Sequence, residues 1–174
     1  MNHWLIASFL LIGAPAMAQT AKLDSKQPIE IAADNLEVLQ GESKAIFSGN
    51  VIAKQGAITM RAAQMTVYYE SANNAQPPAA APAAGKGIKR IESRGNVVFV
   101  TPEESAQGDT AIYNVKTDTI DLVGNVVLTR EQNILKGATL NYNLGTGRSL
   151  LNGGAAGKTT SGRVRGLFVP GKDA

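Results

Sequence analysis

The chain repeats itself with a period of about 29 residues, and that period limits its fold more than any other feature does. Gly-Asn-Val stands at Gly49-Asn50-Val51, Gly95-Asn96-Val97 and Gly124-Asn125-Val126. The step from Gly95 to Gly124, taken once more, reaches a degenerate copy, Gly153-Gly154-Ala155. The first step, from Gly49 to Gly95, is longer. The excess matches the length of Ser71–Gly87, a Pro/Ala/Gly-rich stretch that reads as an inserted loop. A second landmark (Ala33-Asp34-Asn35-Leu36, Ala62-Ala63-Gln64-Met65, Gly108-Asp109-Thr110-Ala111, Gly137-Ala138-Thr139-Leu140) keeps the same period. Each copy precedes a landmark glycine by the distance from Asp34 to Gly49 once the insertion is removed. The repeats are therefore 34–62, 63–108, 109–137 and 138–166.

Within each unit, apolar and polar residues alternate as in half-buried strands. One face collects Leu36, Met65, Ala111 and Leu140, then Val38, Val67, Tyr113 and Tyr142. It continues with Phe47, Ser93, Leu122 and Leu151, then Val51, Val97, Val126 and Ala155, and finally Ala53, Phe99, Leu128 and Gly157. Ile52, Val98 and Val127 break the alternation, which predicts a strand covered on both sides. The Gly-Asn dipeptides read as tight turns needing positive φ. Together these features predict an all-β fold: an elongated, twisted β-jelly-roll of about sixteen antiparallel strands, with its core between two facing sheets.

The N-terminus is of another kind. Trp4–Gly13 is an apolar run ending in Ala16-Met17-Ala18, which reads as a secretory signal over residues 1–18 with Gln19 as the mature start. The alternative is an uncleaved anchor, although the run is short for a bilayer. Residues 19–28 then form a flexible lead, 29–170 a single domain and 171–174 a tail. Removing the signal removes His3 and Trp4, so the expected mature chain has no His, Trp or Cys and keeps its net charge of +3. Such a chain lacks an imidazole base, a thiolate and an ordinary zinc ligand set. Glu103-Glu104 and Asp118/Asp121 read as solvated turn residues. Gly153-Gly154-Ala155-Ala156-Gly157 before Lys158 lacks P-loop spacing. No catalytic residue, metal, cofactor or nucleic-acid partner is expected.

What remains is the apolar inner face, which in a modestly filled roll forms a lengthwise groove for acyl chains, each CH₂ withdrawn from water contributing roughly 0.8 kcal/mol. The positions expected to line it are Ile29, Ile31, Leu36, Val38, Phe47, Val51, Val67, Val97, Phe99, Tyr113, Leu122, Val126, Leu128, Leu140 and Tyr142. Ile29–Ala32 and Val164–Val169 are the expected terminal strands. Their open edges, at Ile29, Glu30 and Ile31 and at Val164, Arg165, Leu167, Phe168 and Val169, favour pairing with another roll. A carbohydrate-binding or purely structural β-roll is the rival reading, weakened by the absence of Trp for a sugar platform.

Gln27-Pro28-Ile29-Glu30-Ile31, Ala33-Asp34, Phe47-Ser48-Gly49-Asn50-Val51, Gln55-Gly56 and the closing Leu167-Phe168-Val169-Pro170 resemble the OstA-like lipopolysaccharide-transport family over about residues 26–170. The chain is most similar to its free periplasmic bridge member, with the N-terminally anchored member as the alternative. The resemblance implies a soluble periplasmic carrier, not an enzyme, that passes lipopolysaccharide from the inner-membrane complex to the outer-membrane translocon. It implies head-to-tail self-association and two partners: an inner-membrane-anchored OstA-like (LptC-like) protein and an LptD-like translocon. By position, Ile29 and Ile31 match the family's lipid-contacting first strand, and Phe99 and Tyr113 its interior contacts.

Overall fold

The computed structural model describes residues 26–70, 87–154 and 162–170. The expected signal (1–18), most of the lead, nearly all of the inserted loop and the tail lie outside them. Ten strands form: β1 (Ile29–Ala32), β2 (Asn35–Leu39), β3 (Lys44–Gln55), β4 (Ile58–Tyr69), β5 (Ile88–Val100), β6 (Glu104–Asn114), β7 (Thr119–Arg130), β8 (Asn133–Asn143), β9 (Arg148–Asn152) and β10 (Arg165–Leu167). All pairs are antiparallel, in one sheet of order β1-β3-β4-β5-β6-β7-β8-β10, with β2 also on β3 and β9 also on β8. The sheet is not closed.

Against the expected sixteen strands, the described residues form ten, because the Gly-Asn pairs are not turns. Gly49-Asn50, Gly95-Asn96 and Gly124-Asn125 lie inside β3, β5 and β7 and take positive φ at both residues (80° and 46°, 79° and 49°, 86° and 47°). Each makes a bulge: the register jumps from Ser48 to Val51 on β3, and at the same level between every other pair from β3 to β8. Glycine is required at the first position, since a Cβ on Gly95 would stand 2.9 Å from the Ala63 Cβ. Asparagine tolerates the second and uses its amide: Asn50 Nδ2 donates to Asp34 Oδ2 (2.8 Å) and Asn125 Nδ2 to Asp109 Oδ2 (2.9 Å). The two sequence landmarks are thus the two sides of one bend.

Aligned bulges fold the sheet into two leaves, one ladder and not two sheets. Leaf one holds β2, the N-terminal parts of β3, β5 and β7, the C-terminal parts of β4, β6 and β8, and β9. Leaf two holds β1, the complementary parts and β10. The shorter segments read from the repeat appear as straight pieces joined through the bend. Contacts between the leaves show how they cross. Near the bend, Ser93 Oγ on β5 meets Met60 Sδ on β4 at 3.2 Å, one strand away. Further out, Phe99 on β5 packs edge-on against Tyr142 on β8 (5.2 Å), and Tyr113 on β6 reaches Gln55 on β3, three strands away along the sheet. The offset is the accumulated strand twist.

Ile52, Val98 and Val127, expected to be covered on both sides, are half-buried on the outer face of leaf two. They share a cross-strand row with Arg61 and Lys136, whose aliphatic stems suit such a surface. The last strand is shorter than expected, leaving Val164, Phe168 and Val169 outside β10. The inserted segment falls between β4 and β5, where Glu70 N–H donates to Gly87 O at 2.6 Å.

Candidate functional site

The inner faces of the leaves form continuous cross-strand rows. On leaf one the row Leu36-Phe47-Met65-Ser93-Ala111-Leu122-Leu140-Leu151 runs from edge to edge, and beside it runs Val38-Ala45-Val67-Ile91-Tyr113-Ile120-Tyr142-Ser149. On leaf two the matching row is Ile31-Ala53-Met60-Phe99-Ala106-Leu128-Leu135-Gly166. Directly opposed residues share a face, so two different repeat positions, those of Leu36 and Phe47, alternate along one row.

Of the expected lining residues, Ile29, Phe47, Val51, Val67, Val97, Phe99, Tyr113, Leu122, Val126, Leu128, Leu140 and Tyr142 are buried, and Ile31 is partly buried. Leu36 and Val38 differ. They point to the core face, opposite Phe47 and Ala45, yet are 54% and 51% exposed. The crossing of the leaves explains this, because leaf two is displaced away from the β2 edge. At the other edge Phe168 is 69% exposed. Its ring lies where a Cβ on Gly166 would point, 2.7 Å from that position, beside Leu135. Core face is therefore uncovered at both ends of the sheet, on opposite leaves. Among the edge residues, Glu30, Val164, Arg165, Leu167 and Val169 are exposed, and Ile29 is buried.

Between the leaves, at the mouth away from the bend, lies a recess with about 360 Å³ of empty space, part of it open to solvent. Ile29, Ala53, Ile58 and Met60 line it from leaf two, and Ile91, Tyr113 and Ile120 from leaf one. Its rim is polar. Tyr113 Oη donates to Gln55 Oε1 (3.1 Å), and Gln55 Nε2 donates to Gln27 O (3.0 Å). Burial pushes the Tyr113 hydroxyl up to about 12, with the charge of Asp118 adding to the shift and the Gln55 contact opposing it. Further along, Tyr142 is also pushed up to about 12, by burial first and then by the facing Glu104 carboxylate.

Glu104 corrects the expectation of a solvated turn acid: its side chain is 1% exposed. Arg130 Nε and Nη2 donate to Glu104 Oε2 at 3.1 and 2.9 Å, while Oε1 is buried without a hydrogen-bond partner. Thr101 closes the β5–β6 turn by accepting the Glu103 and Glu104 N–H groups (3.3 and 3.2 Å). The repeat carries a signal for this rim. Gln55, Thr101 and Arg130 occupy one repeat position, spaced as the landmark glycines Gly49, Gly95 and Gly124 are. Glu104 occupies the position held in the first copy by the buried Ile58. Among the described residues no group of His, Cys, Asp and Glu could hold a metal, and no helix is long and apolar enough to cross a membrane.

Comparison with known proteins agrees with this architecture. An uncharacterized protein of Rhizobium meliloti (strain 1021) is 37% identical over 150 residues, covering 85% of this chain and 78% of that protein. The fold is similar to that of LptH, described as the LptA homologous periplasmic component of the conserved lipopolysaccharide transport device from Pseudomonas aeruginosa. The TM-score is 0.67 at 20% identity, covering 85% of this chain and 99% of LptH. Residues 30–148 match the family described as LptA/(LptD N-terminal domain) LPS transport protein. The chain belongs to that family, which is one of transport proteins and not of enzymes.

Proposed function

We propose that this chain is a periplasmic carrier that takes lipopolysaccharide from an inner-membrane complex to an outer-membrane translocon, with the acyl chains held between the two leaves. The observation that carries the reading is the set of largely apolar inner rows that cross the sheet from edge to edge, uncovered at the β2 edge on leaf one and at the β10 edge on leaf two. A chain with about a dozen methylenes withdrawn from water is stabilised by roughly 10 kcal/mol, enough to hold a lipid in an aqueous compartment. Met65, Val67, Phe99 and Leu122 have no exposed surface, so a chain enters by parting the leaves at the mouth. Among the described residues β1 and β10 each pair on one side only, which supports head-to-tail stacking and docking to an LptC-like protein at one end and an LptD-like translocon at the other.

A photo-crosslinking residue placed at Ile31, Val38 or Phe99 tests this. Covalently attached lipopolysaccharide is expected at all three, and none at the outer-face position Thr66. Blank results at all three inner positions in an expressed, folded protein would reject lipid carriage. Sequencing the N-terminus of the cellular protein tests export: a start at Gln19 fits a free carrier, and an intact Met1 fits the anchored member of the same system.

A further inference from the structure

The mouth carries chemistry that a plain hydrocarbon cargo does not require. Of the four buried polar residues among those described, Gln55, Thr101 and Glu104 lie at the tips of leaf two, at the mouth. Two tyrosines of leaf one, Tyr113 and Tyr142, reach them from the repeat position that holds Val38 and Val67 in the first two copies. Glu104 keeps one carboxylate oxygen buried without a partner while Arg130 holds the other. Burying a carboxylate against a half-exposed arginine does not improve on apolar packing for stability, and an unsatisfied buried acceptor weakens the fold. One row deeper the lining is apolar: Ala53, Met60, Phe99, Ala106 and Leu128.

Resting on the carrier reading above, we infer that this polar rim is a docking lip for a hydrogen-bonding group near the head of an acyl chain, a hydroxyl or an amide N–H. Glu104 Oε1 accepts that hydrogen bond, and the Tyr142 hydroxyl turns to the adjoining carbonyl oxygen. The order of the rows sets the position of the group. Hydrocarbon fills the apolar rows, so the donor lies at the head of the chain and not along its tail. A chain without a donor leaves Glu104 Oε1 only the neighbouring Tyr142 hydroxyl to turn to, and a site built around a hydrogen bond discriminates against the analogue lacking it.

The test compares binding of 3-hydroxytetradecanoate and tetradecanoate to the full chain, by displacement of a fluorescent fatty acid. Wild type should bind the hydroxylated chain roughly tenfold more tightly. Glu104→Leu should abolish that preference. Tyr142→Phe keeps the ring against Phe99 and should reduce the preference several-fold, and it serves if the Glu104 variant does not fold. Tyr68→Phe, on the outer face where the hydroxyl bonds Glu92, should leave it unchanged. Equal affinity for the two chains in wild type, or an undiminished preference in both lip variants, overturns the lip and leaves lipid carriage standing. So does failure of the hydroxylated chain to bind while the lipopolysaccharide crosslink forms. If neither chain binds and the crosslinks are blank, the carrier reading falls and the lip with it.

Discussion

Gly124→Ala tests the bend on which both leaves depend. Gly124 takes φ +86°, and a Cβ there would fall inside contact distance of Asp109 Oδ2 and stand 2.8 Å from its Cγ. The backbone conformation alone costs a residue with a Cβ about 1–2 kcal/mol. Moving Asp109 aside also breaks its 2.9 Å hydrogen bond from Asn125, about 1 kcal/mol more. The expected loss is roughly 2–4 kcal/mol, which lowers the melting temperature of a domain of this size by about 5–15 °C. Equilibrium unfolding in guanidinium or by heat measures it. Gly41→Ala is the control: that glycine has open space around it and a φ outside the left-handed region, so alanine there should be neutral or slightly stabilising. Adding Asp109→Gly to Gly124→Ala should recover the steric part and not the backbone part, whereas Asp109→Ala keeps a Cβ 2.9 Å away and should recover less. If Gly124→Ala and Gly41→Ala unfold at the same midpoint, β7 has no left-handed pair and the account of the bend is wrong.

Leu122→Glu and Val126→Asp, at side chains 0% and 1% exposed, each bury an unpaired charge and should lose several kcal/mol or fail to fold; an unchanged melting temperature would show that the facing is reversed. Tyr113 and Tyr142 make stability fall with alkali. Their folded pKa values are raised to about 12 from the ordinary 10.0, so above pH about 10 the unfolded chain loses these protons first and binds fewer than the native state. Stability should hold below pH 10 and decline towards pH 12 by at most about 3 kcal/mol per tyrosine, and urea titrations should show the decline shrinking in a Tyr113→Phe/Tyr142→Phe variant. Leu36→Ser with Val38→Ser should change the unfolding free energy by less than about 1 kcal/mol, since both side chains are half exposed, while weakening capture of lipopolysaccharide. A large loss of stability would mean that these residues belong to the core.

The period and the facing of the strands are legible because they depend on alternation, and alternation survives a bulge that sets two residues against one. The constant spacing of the landmarks is equally legible, as the path along the chain from Asp34 round the β2–β3 hairpin to Gly49. What a Gly-Asn pair does with its positive φ is not. The same dipeptide turns a chain in a two-residue hairpin and bends it within a strand, and only the partner strand continuing past Ala63 and Asp109 distinguishes the two. Glu104 escapes for a related reason. It follows Pro102 in a turn, which looks solvated. The turn lies at a tip of leaf two, and the crossing of the leaves places Tyr142 of β8 over it. All of β6 and β7 and nearly all of β8 separate that neighbour from Glu104 along the chain.

The crossing also accounts for the open ends. Leaves lying strand over strand would cover each other to both edges, and Leu36 and Val38 would be as buried as Phe47 and Ala45 beside them. A three-strand offset instead leaves leaf one bare at the β2 edge and leaf two bare at the β10 edge. The exposed core faces are therefore complementary in leaf as well as in chemistry. A second roll placed against β1 and β2 brings its bare leaf two opposite the bare leaf one of the first. Proposed head-to-tail stacking then continues the apolar rows across the junction, where two blunt-ended sandwiches would meet at a polar seam. In the proposed stack, the twist that makes the single roll look incomplete would let a row of them share one trough.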